Sequence, residues 1–313
     1  MKLTRISDVH AILAERDIRP QKSLGQNFLI DANILGIMLE AAEIKAEDEV
    51  LEIGAGLGVL TEPLARVARR VVTVEKDPRL WPILNDRLKD IANVELICGD
   101  MMKVDHEALF RSGINKVVSN LPYSVGSAIL VNLIQAETPP AQLTVTLQQE
   151  VAARLIAEPG HKDFGLLSLW TQLRYDVAIR KTVSPSCFYP APSVNSTILN
   201  LVLRERPAGV TNQVFSVRDA VFDHPANDYQ DRHFFYALTK FAFARRRKQL
   251  KTILCDANIV AHATMQAQLA AKDVLAAFQK LGIDPRTRPE DLSVKMWRHL
   301  AHALGPLCCR RQP

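Results

Sequence analysis

The chain has 313 residues, of which 48% are hydrophobic and 23% charged, and its formal net charge is +5. This composition favours a globular protein with a substantial core. It excludes a membrane-spanning protein, because no apolar run approaches the roughly 20 residues that cross a bilayer. The N-terminal stretch MKLTRISDVHAILAERDIRP carries scattered charges where a secretory signal would be apolar. We therefore expect a cytoplasmic protein without a membrane partner.

The cysteines are scattered and form no C-x-x-C pair: Cys98, Cys187, Cys255, Cys308 and Cys309. An odd number in this arrangement is typical of a reducing compartment and not of a disulfide framework. It also predicts no zinc or other metal site.

Positive charge is concentrated in the last third of the chain. Residues 204–313 hold 18 Lys and Arg against 10 Asp and Glu, whereas residues 1–203 hold 21 against 24. A near-neutral body with a basic appendage favours a nucleic acid as partner, although many basic domains bind no polyanion.

Seven short β-rich runs begin near residue 48 and alternate at first with helical patterns. They are residues 49–53, 70–75, 94–99, 116–120, 143–148, 175–179 and 196–203. The first four are almost continuously apolar, as expected of strands that are covered on both faces. The alternation predicts a doubly wound parallel sheet, hence a Rossmann-like α/β domain.

Helical patterns dominate the rest of the chain. The Pro-rich stretch 184–193 predicts an ordered loop before the last strand, and the break at 205–209 predicts a domain boundary. Beyond it, apolar spacing predicts helices over 234–254, 264–281 and 289–303, with 222–233 as an inserted surface loop. We therefore predict an α/β domain over residues 1–203 and a smaller helical domain over 204–313.

A glycine-rich stretch, EIGAGLG, places Gly54, Gly56 and Gly58 between the first sheet strand and a helix. Glycines there allow a tight turn and a close approach of the backbone to a ligand. The G-x-G-x-x-G pattern of dinucleotide sites would need its third glycine at position 59, which is Val59. The spacing instead resembles the first motif of S-adenosylmethionine-dependent methyltransferases, with a ligand-free turn as the plainer alternative.

Polar residues stand at the ends of the next three predicted strands: Glu75, Asp100 and Asn120. Ligands of open parallel sheets bind outside the carboxyl ends of the strands, so we expect these residues to converge with the glycine loop. Glu75 follows Gly54 at the distance where a carboxylate accepts hydrogen bonds from ribose hydroxyls. A helix N-cap is the alternative role for either acid.

The sequence Asn120-Leu121-Pro122-Tyr123 predicts chemistry on an exocyclic amine. The Asn120 side-chain oxygen and the Leu121 carbonyl can accept both N–H groups of such an amine and aim its nitrogen at a methyl donor. Pro122 restricts the loop, and Tyr123 offers a ring face for stacking. Catalysis would then rest on orientation and hydrogen bonding, without a strong general base. A simple turn is the alternative.

Further motifs occur along the chain: KSLGQNFL at 22–29, QQEVAARL at 148–155, FYPAPSVNS at 188–196 and FARRRKQL at 243–250. Together with EIGAGLG and NLPY, they make the chain resemble the ribosomal RNA adenine dimethylases of the KsgA type, from about Arg19 to Leu254.

The resemblance implies S-adenosylmethionine as cofactor and two adjacent N6,N6-dimethyladenosines, in a hairpin near the 3′ end of small-subunit ribosomal RNA, as product. It implies a monomer that acts on an assembling subunit. It assigns the cofactor to Gln26, Asn27, Leu29, Gly54, Gly56, Glu75, Asp100 and Asn120. It assigns the target amine to Asn120, Leu121 and Tyr123, with Phe188 as a second stacking face. A core position is the alternative for Phe188.

A basic cluster falls within the predicted helix 234–254: Arg245, Arg246, Arg247, Lys248 and Lys251. Helical spacing would spread it over one side of that helix, where it could neutralise RNA phosphates. A solvated face without a ligand is the alternative.

Three other functions stay open at this point. The related large-subunit methylases that confer macrolide resistance share the motifs, but Leu24-Gly25 and the long basic C-terminal domain favour the small-subunit type. A non-catalytic binding protein could retain the fold, although intact Glu75, Asp100 and NLPY argue against it. A nicotinamide oxidoreductase is the third.

Overall fold

The computed structural model describes residues 2–204, 228–255 and 269–309. The chain divides into two compact units, one of Met1–Ala153 with Tyr175–Arg204 and one of Arg154–Arg174 with Glu205–Pro313. In this division residues 154–174 belong to the second unit and Arg204 to the first, whereas the predicted domains divide once, between residues 203 and 204. Within the described ranges, none of the helices has both the length and the apolar character needed to cross a membrane.

A mixed seven-stranded sheet forms the centre of the first unit. Its strands are β2 (Glu49–Ile53), β3 (Arg70–Glu75), β4 (Val94–Cys98), β5 (Lys116–Asn120), β6 (Gln142–Gln148), β7 (Tyr175–Val183) and β9 (Ser196–Leu203), in the order β4-β3-β2-β5-β6-β9-β7. Two short strands, β1 (Phe28–Leu29) and β8 (Phe188–Tyr189), pair with each other. All seven predicted strands are present.

Strand direction departs from the prediction at one position. Strands β2 to β6 are parallel, as predicted, but β9 runs antiparallel to both β6 and β7. The connection from β7 to β9 contains β8 and a 3₁₀ turn but no crossover helix. A return strand without such a crossover pairs antiparallel.

Strand β4 also differs from expectation, because it is the edge of the sheet and not one of its covered strands. Glu95 and Cys98 are exposed and its other three residues are half-buried, whereas every residue of β2 is buried. The apolar sequence of β4 therefore covers one face only.

Seven helices accompany these strands: α1 (Ile6–Glu15), α2 (Ala32–Ala42), α3 (Thr61–Ala65), α4 (Trp81–Leu88), α5 (His106–Arg111), α6 (Gly126–Gln135) and α7 (Gln149–Ile156). Asp31 is the N-cap of helix α2, and its carboxylate accepts a hydrogen bond from the Ile34 amide at 2.9 Å. Helix α1 buries Val9 and Leu13 in an apolar cluster with Leu57 and Leu80. The sequence analysis did not identify α1.

The described residues of the second unit form helices α8 (Leu166–Arg174), α9 (Asp228–Phe243), α10 (Leu250–Cys255), α11 (Ala271–Leu281) and α12 (Val294–Cys309). Trp297 lies in its core, and the Trp297 indole donates to the Pro289 carbonyl at 3.1 Å. The helical character of this region is as predicted.

Its boundaries need three corrections. The predicted loop 222–233 is wrong at residues 228–233, which lie in α9, while 222–227 fall outside the described residues. The predicted helix 234–254 is interrupted by a turn at 244–249. The other two predicted helices begin late: 264–281 begins at Ala271, with residues 264–268 outside the described residues, and 289–303 is observed as Val294–Cys309.

Candidate active site

A cavity of about 370 Å³ lies outside the carboxyl ends of β2, β3, β4 and β5. Sequence-predicted residues that line it are Gln26, Asn27, Leu29, Gly54, Gly56, Glu75, Asp100, Asn120, Leu121 and Tyr123. The fold thus brings together residues that are almost 100 positions apart in the chain. The volume of the cavity is within the range of small-molecule sites, about 300–1,000 Å³.

The glycine loop supplies the floor of this cavity. Gly54 and Gly56 have φ angles of +79° and +61°, which side chains rarely tolerate. A Cβ atom on Gly56 would lie 3.1 Å from the Phe28 ring, and one on Gly54 would touch Pro122 at 3.4 Å. The loop therefore needs glycine both for its backbone conformation and for its close packing.

Glu75 is a buried acceptor at the end of β3. One carboxylate oxygen accepts the Gly56 amide and the other the Asp77 amide, both at 2.8 Å. Burial raises the pKa of Glu75, and these N–H groups offset the rise only in part. Each oxygen keeps a further lone pair, so the carboxylate can also accept hydrogen bonds from a diol.

Asp100 is a more exposed acid. Its carboxylate lies 2.9 Å from the Lys76 ammonium and accepts the Met102 amide at 3.0 Å. The hydrogen bond with Lys76 is the main reason that the pKa of Asp100 is lowered. Asp100 is therefore ionised at neutral pH, and it combines a local turn role with a place in the cavity wall.

Asn120 carries the most informative polar atom of the site. Its amide nitrogen donates to the Asn27 carbonyl at 2.9 Å. Its side-chain oxygen is buried and has no hydrogen-bond partner among the described residues. Buried acceptors are normally satisfied, so an unpaired one on a residue that lines a cavity indicates a missing donor.

Tyr123 is held by its hydroxyl group, which hydrogen-bonds to the Ser196 hydroxyl at the start of β9. Burial raises the pKa of Tyr123, so the phenol stays neutral at physiological pH. This bond restrains the ring at the cavity wall.

Comparison with known proteins identifies the family. The sequence matches the family model described as ribosomal RNA adenine dimethylase over residues 18–282.

The chain belongs to the ribosomal RNA adenine dimethylase family.

Its curated relatives are similar over almost their whole length. Two of them, from Shouchella clausii and Geobacillus kaustophilus, bear the name ribosomal RNA small subunit methyltransferase A. Each is 38% identical; the first match covers 94% of this chain and 93% of the relative, the second 92% of both.

Two solved structures support the fold of this dimethylase. A dimethyladenosine transferase from Plasmodium falciparum has a TM-score of 0.71 at 22% identity and covers 89% of this chain and 97% of its own. The 23S rRNA methyltransferase ErmE has a TM-score of 0.59 at 23% identity, with 89% and 99% covered.

Phe188 does not lie where the resemblance to the dimethylase family implied. It is absent from the cavity lining, only 3% exposed, and packed in the core cluster of Leu29 and Met38. The reason is the pairing of β8 with β1, which sets Phe188 opposite Leu29. In this structure it is a core residue and offers no stacking face.

Gln26 and Asn27 line the cavity, but their side chains form hydrogen bonds within the protein. The Gln26 amide binds Asp77 and the Gln21 backbone, and the Asn27 amide donates to the Gly25 carbonyl. Leu29 contributes an apolar wall. Their predicted cofactor contacts stay predictions.

Sequence reasoning missed several residues that shape the site of the dimethylase: Leu3, Val9, Gly25, Asp77 and Ser196. The apolar spacing of positions 9, 12 and 13 could have indicated the helix that brings Val9 to the cavity. Ser196, in contrast, is the last residue of the motif FYPAPSVNS, but nothing in that motif indicates its partner Tyr123, which is 73 positions away.

The predicted RNA-contacting cluster in the second unit lies in the turn 244–249 and the first residue pair of α10, not on one helix. Arg246 forms an ion pair with Glu290 at 2.7 Å and donates to the Lys162 carbonyl, so it serves the unit itself. Arg245 lies over the Phe241 ring, 5.3 Å from its centre. Arg247, Lys248 and Lys251 are exposed.

Proposed function

We propose that this chain transfers methyl groups from S-adenosylmethionine to N6 of two adjacent adenosines in the 3′-terminal hairpin of 16S ribosomal RNA, during small-subunit assembly. The observation that carries the proposal is the buried, unpartnered side-chain oxygen of Asn120 in the cavity. An adenine amine is a donor that suits this acceptor. The names of the curated relatives support the small-subunit substrate over large-subunit RNA.

The residues of the cavity fit the cofactor that the family implies. Glu75 would accept hydrogen bonds from ribose hydroxyls, and Asp100 would bind a donor group on the adenine side. The glycine loop would let the amino-acid part approach the backbone closely. When bound, S-adenosylmethionine supplies an electrophilic methyl group on sulfur.

Asn120 and Leu121 would orient the target. An unmethylated amine has two N–H groups, one for the Asn120 side-chain oxygen and one for the Leu121 carbonyl. After one transfer and the release of one N6 proton to solvent, a single N–H remains, and either acceptor suffices to hold it. The second methylation therefore needs no new residue, and the work of the site is orientation.

The target base must leave its stack, at a cost of a few kcal/mol. Tyr123 can return about 1–3 kcal/mol by stacking. Since Phe188 is buried, Tyr123 carries this contribution alone among the two predicted rings. A ribosomal substrate would place the reaction in the cytoplasm, and the basic turn would add sequence-independent affinity for RNA.

The test is mass spectrometry of nucleosides from unmethylated small subunits, and separately from large-subunit RNA, after incubation with the protein and S-adenosylmethionine. We expect dimethyladenosine in the small-subunit RNA only. Asn120→Ala should abolish it, whereas Asn132→Ala, a change of the same size on α6 outside the cavity lining, should not.

Two results would redirect the proposal. Product on large-subunit RNA alone would assign the chain to the resistance-type methylases. Tight, salt-sensitive RNA binding without any methyl transfer would favour the non-catalytic binding factor.

A further inference from the structure

The Gln26 side chain lines the cavity, yet both ends of its amide are occupied by the protein. Its nitrogen donates to the Asp77 carboxylate and its oxygen accepts the Gln21 backbone amide, each at 2.8 Å. We propose that Gln26 is a positioning residue, which links Asp77 to the backbone of Asn27 and thereby sets the direction of the Asn120 side chain. This inference rests on the proposed function for its kinetic consequence, but not for its structural one.

The first part of the link is the fixed carboxylate of Asp77. Asp77 is buried, and its backbone amide donates to Glu75 at 2.8 Å. Its carboxylate also binds the Arg79 guanidinium, at 2.6 and 2.9 Å. Gln26 is thus anchored to a group that belongs to the Glu75 end of the cavity.

The second part is the carbonyl of Asn27, the residue that follows Gln26. It accepts a hydrogen bond from the Asn120 amide nitrogen at 2.9 Å, which leaves the Asn120 oxygen as the unpaired end of an amide on the cavity wall. If the carbonyl moved away, the amide could rotate by half a turn and present its NH₂ group instead. A donor would then face the N–H groups of the target amine, and the acceptor would be lost.

Close packing makes this arrangement stiff. Gly25 has a φ angle of +67°, and a Cβ atom there would lie 2.7 Å from the Ser124 amide nitrogen and 2.9 Å from that of Tyr123. The backbone of the turn that contains Gly25 and Gln26 therefore rests directly on the loop that follows Asn120. A shift of the turn must change the position of the Asn27 carbonyl relative to Asn120.

The test is a charge-reversal cycle of Gln26→Glu, Asp77→Asn and the double variant. Gln26→Glu sets two carboxylates against each other and should lower kcat for both methyl transfers by about 100-fold, the cost of a displacement of about 1 Å. The double variant again pairs a donor with an acceptor between positions 26 and 77, now in the reverse direction, although the new amide NH₂ group replaces the oxygen that also accepts Arg79. It should recover kcat to within about tenfold of the native protein. The dissociation constant of S-adenosylhomocysteine, measured by calorimetry, should change less than kcat in every variant.

A direct cofactor contact of Gln26 predicts a different pattern. Affinity for S-adenosylhomocysteine would then fall as much as kcat in Gln26→Glu, and the double variant would restore neither. That pattern, or native kcat in Gln26→Glu, overturns the inference.

A second measurement does not depend on activity. The ¹⁵N side-chain amide resonance of Asn120, assigned by its loss in Asn120→Ala, should shift in Gln26→Glu and return in the double variant. An unmoved resonance overturns the inference whether or not the native protein methylates RNA. Failure of the proposed function would appear separately, as an inactive native protein.

Gly25→Ala tests the packing, with Gly160→Ala as matched control. Both glycines have left-handed φ angles, +67° and +82°, but a Cβ on Gly160 meets no atom within 4 Å. Both variants therefore carry backbone strain, and only Gly25→Ala collides with the catalytic loop. We expect the loss of kcat and the shift of the Asn120 resonance in Gly25→Ala alone; equal effects would contradict the role of the turn.

Discussion

Among single residues, Glu52 shows the effect of burial on a charge. It lies at the end of β2, is 1% exposed, and one of its oxygens accepts both the Thr61 and the Thr73 hydroxyl, at 2.5 and 2.9 Å. Burial raises its pKa to about 7, although the two hydroxyl groups favour the ionised form and lower it. The nearby Glu75 adds to the rise.

This shift makes Glu52 a source of pH-dependent stability. Its pKa is about 7 in the folded protein against an ordinary value of 4.5, so between these values the folded state binds more protons than the unfolded state. The contribution to stability is present at low pH and declines as pH rises from about 4.5 through 7. Glu52→Gln keeps an oxygen for both hydroxyls and cannot ionise, so it should be more stable than the native protein at pH 8 by about 3 kcal/mol.

Urea unfolding of both proteins at pH 5 and pH 8 measures this effect. Near pH 5 the gap should fall below about 1 kcal/mol, because the carboxyl is protonated in the folded protein and this pH is close to its ordinary pKa of 4.5. A difference that is the same at both pH values would show that Glu52 does not titrate in this range.

Two variants of Tyr123 distinguish stacking of its ring on the target base from the hydrogen bond of its hydroxyl to Ser196. Tyr123→Phe keeps the ring but leaves the buried Ser196 hydroxyl without its partner, which should cost about 1–3 kcal/mol of stability. Tyr123→Ala removes the ring as well and should lower kcat/KM for ribosomal RNA by about 10- to 100-fold. Methyl-transfer rates together with thermal melting distinguish the two. Equal losses of kcat/KM in both variants would contradict a stacking role.

At the scale of elements, the turn between α9 and α10 places two adjacent arginines in different surroundings. Arg247 is exposed, whereas Arg246 is tied to Glu290 and Lys162. Arg247→Ala should reduce the slope of log K against log salt for RNA binding by about 0.7 and leave stability unchanged. Arg246→Ala should reduce the stability of the protein, because the half-buried Glu290 loses its cation, and should change the slope less.

Binding titrations between 50 and 200 mM salt, with thermal melting alongside, check this assignment. If Arg246→Ala changed the salt slope as much as Arg247→Ala, both arginines would bind phosphate. The basic turn would then be a single RNA-binding surface.

The turn itself shows where sequence patterns reach their limit. Residues 244–249 contain no glycine or proline, and Arg, Lys and Ala all favour helices, so nothing local predicts that α9 ends at Phe243. The Leu250 backbone amide donates to the Thr287 carbonyl, a contact 37 positions distant. Phe188 is a similar case, since its burial depends on the pairing of β8 with β1 and not on its own proline-rich surroundings. Tertiary contacts decide both.

For the molecule as a whole, the strands and the cavity could be predicted because each rests on a regular feature of the chain. Continuous apolar runs mark β2, β3 and β5, and parallel strands bring their carboxyl ends to one edge. Glu75, Asp100 and Asn120 could therefore be placed together from position alone. The hydrogen bond of Asn120 to Asn27 could not, because it depends on the path of a segment that lies 93 positions before Asn120 in the chain.

At the amino ends of the strands, opposite the cavity, a buried ion pair stabilises the sheet. Lys116, at the start of β5, lies 3.0 Å from the Asp48 carboxylate and donates to the Ala42 and Glu43 carbonyls at the end of α2. Asp48 is 3% exposed and also accepts the Asn115 amide at 2.7 Å. Burial would raise the pKa of Asp48, but the hydrogen bonds from Lys45, Asn115 and Lys116 outweigh it and hold the pKa below its ordinary value of 3.8.

Removal of the Lys116 charge should therefore lower the free energy of unfolding without affecting ligand binding in the cavity. Lys116→Met leaves Asp48 as a buried charge without a counterion, which should lower the free energy of unfolding by about 3–5 kcal/mol. Lys116→Met with Asp48→Asn should recover part of this loss, because the second change removes the unpaired charge. The affinity for S-adenosylhomocysteine should stay at the native value in both, since the cavity lies at the other edge of the sheet.

The pH dependence follows from the lowered pKa of Asp48. A carboxyl with a folded pKa below the unfolded value stabilises the fold above about pH 3.8, and this contribution is lost as pH falls through the folded pKa. In Lys116→Met the folded pKa of Asp48 should rise, so that its stabilising contribution disappears and the variant differs most from the native protein at neutral pH. Urea unfolding from pH 3 to pH 7 should show the two free energies converging toward the acid end. A gap that stayed constant over this range would mean that Lys116 acts through the α2 carbonyls alone, without the Asp48 charge.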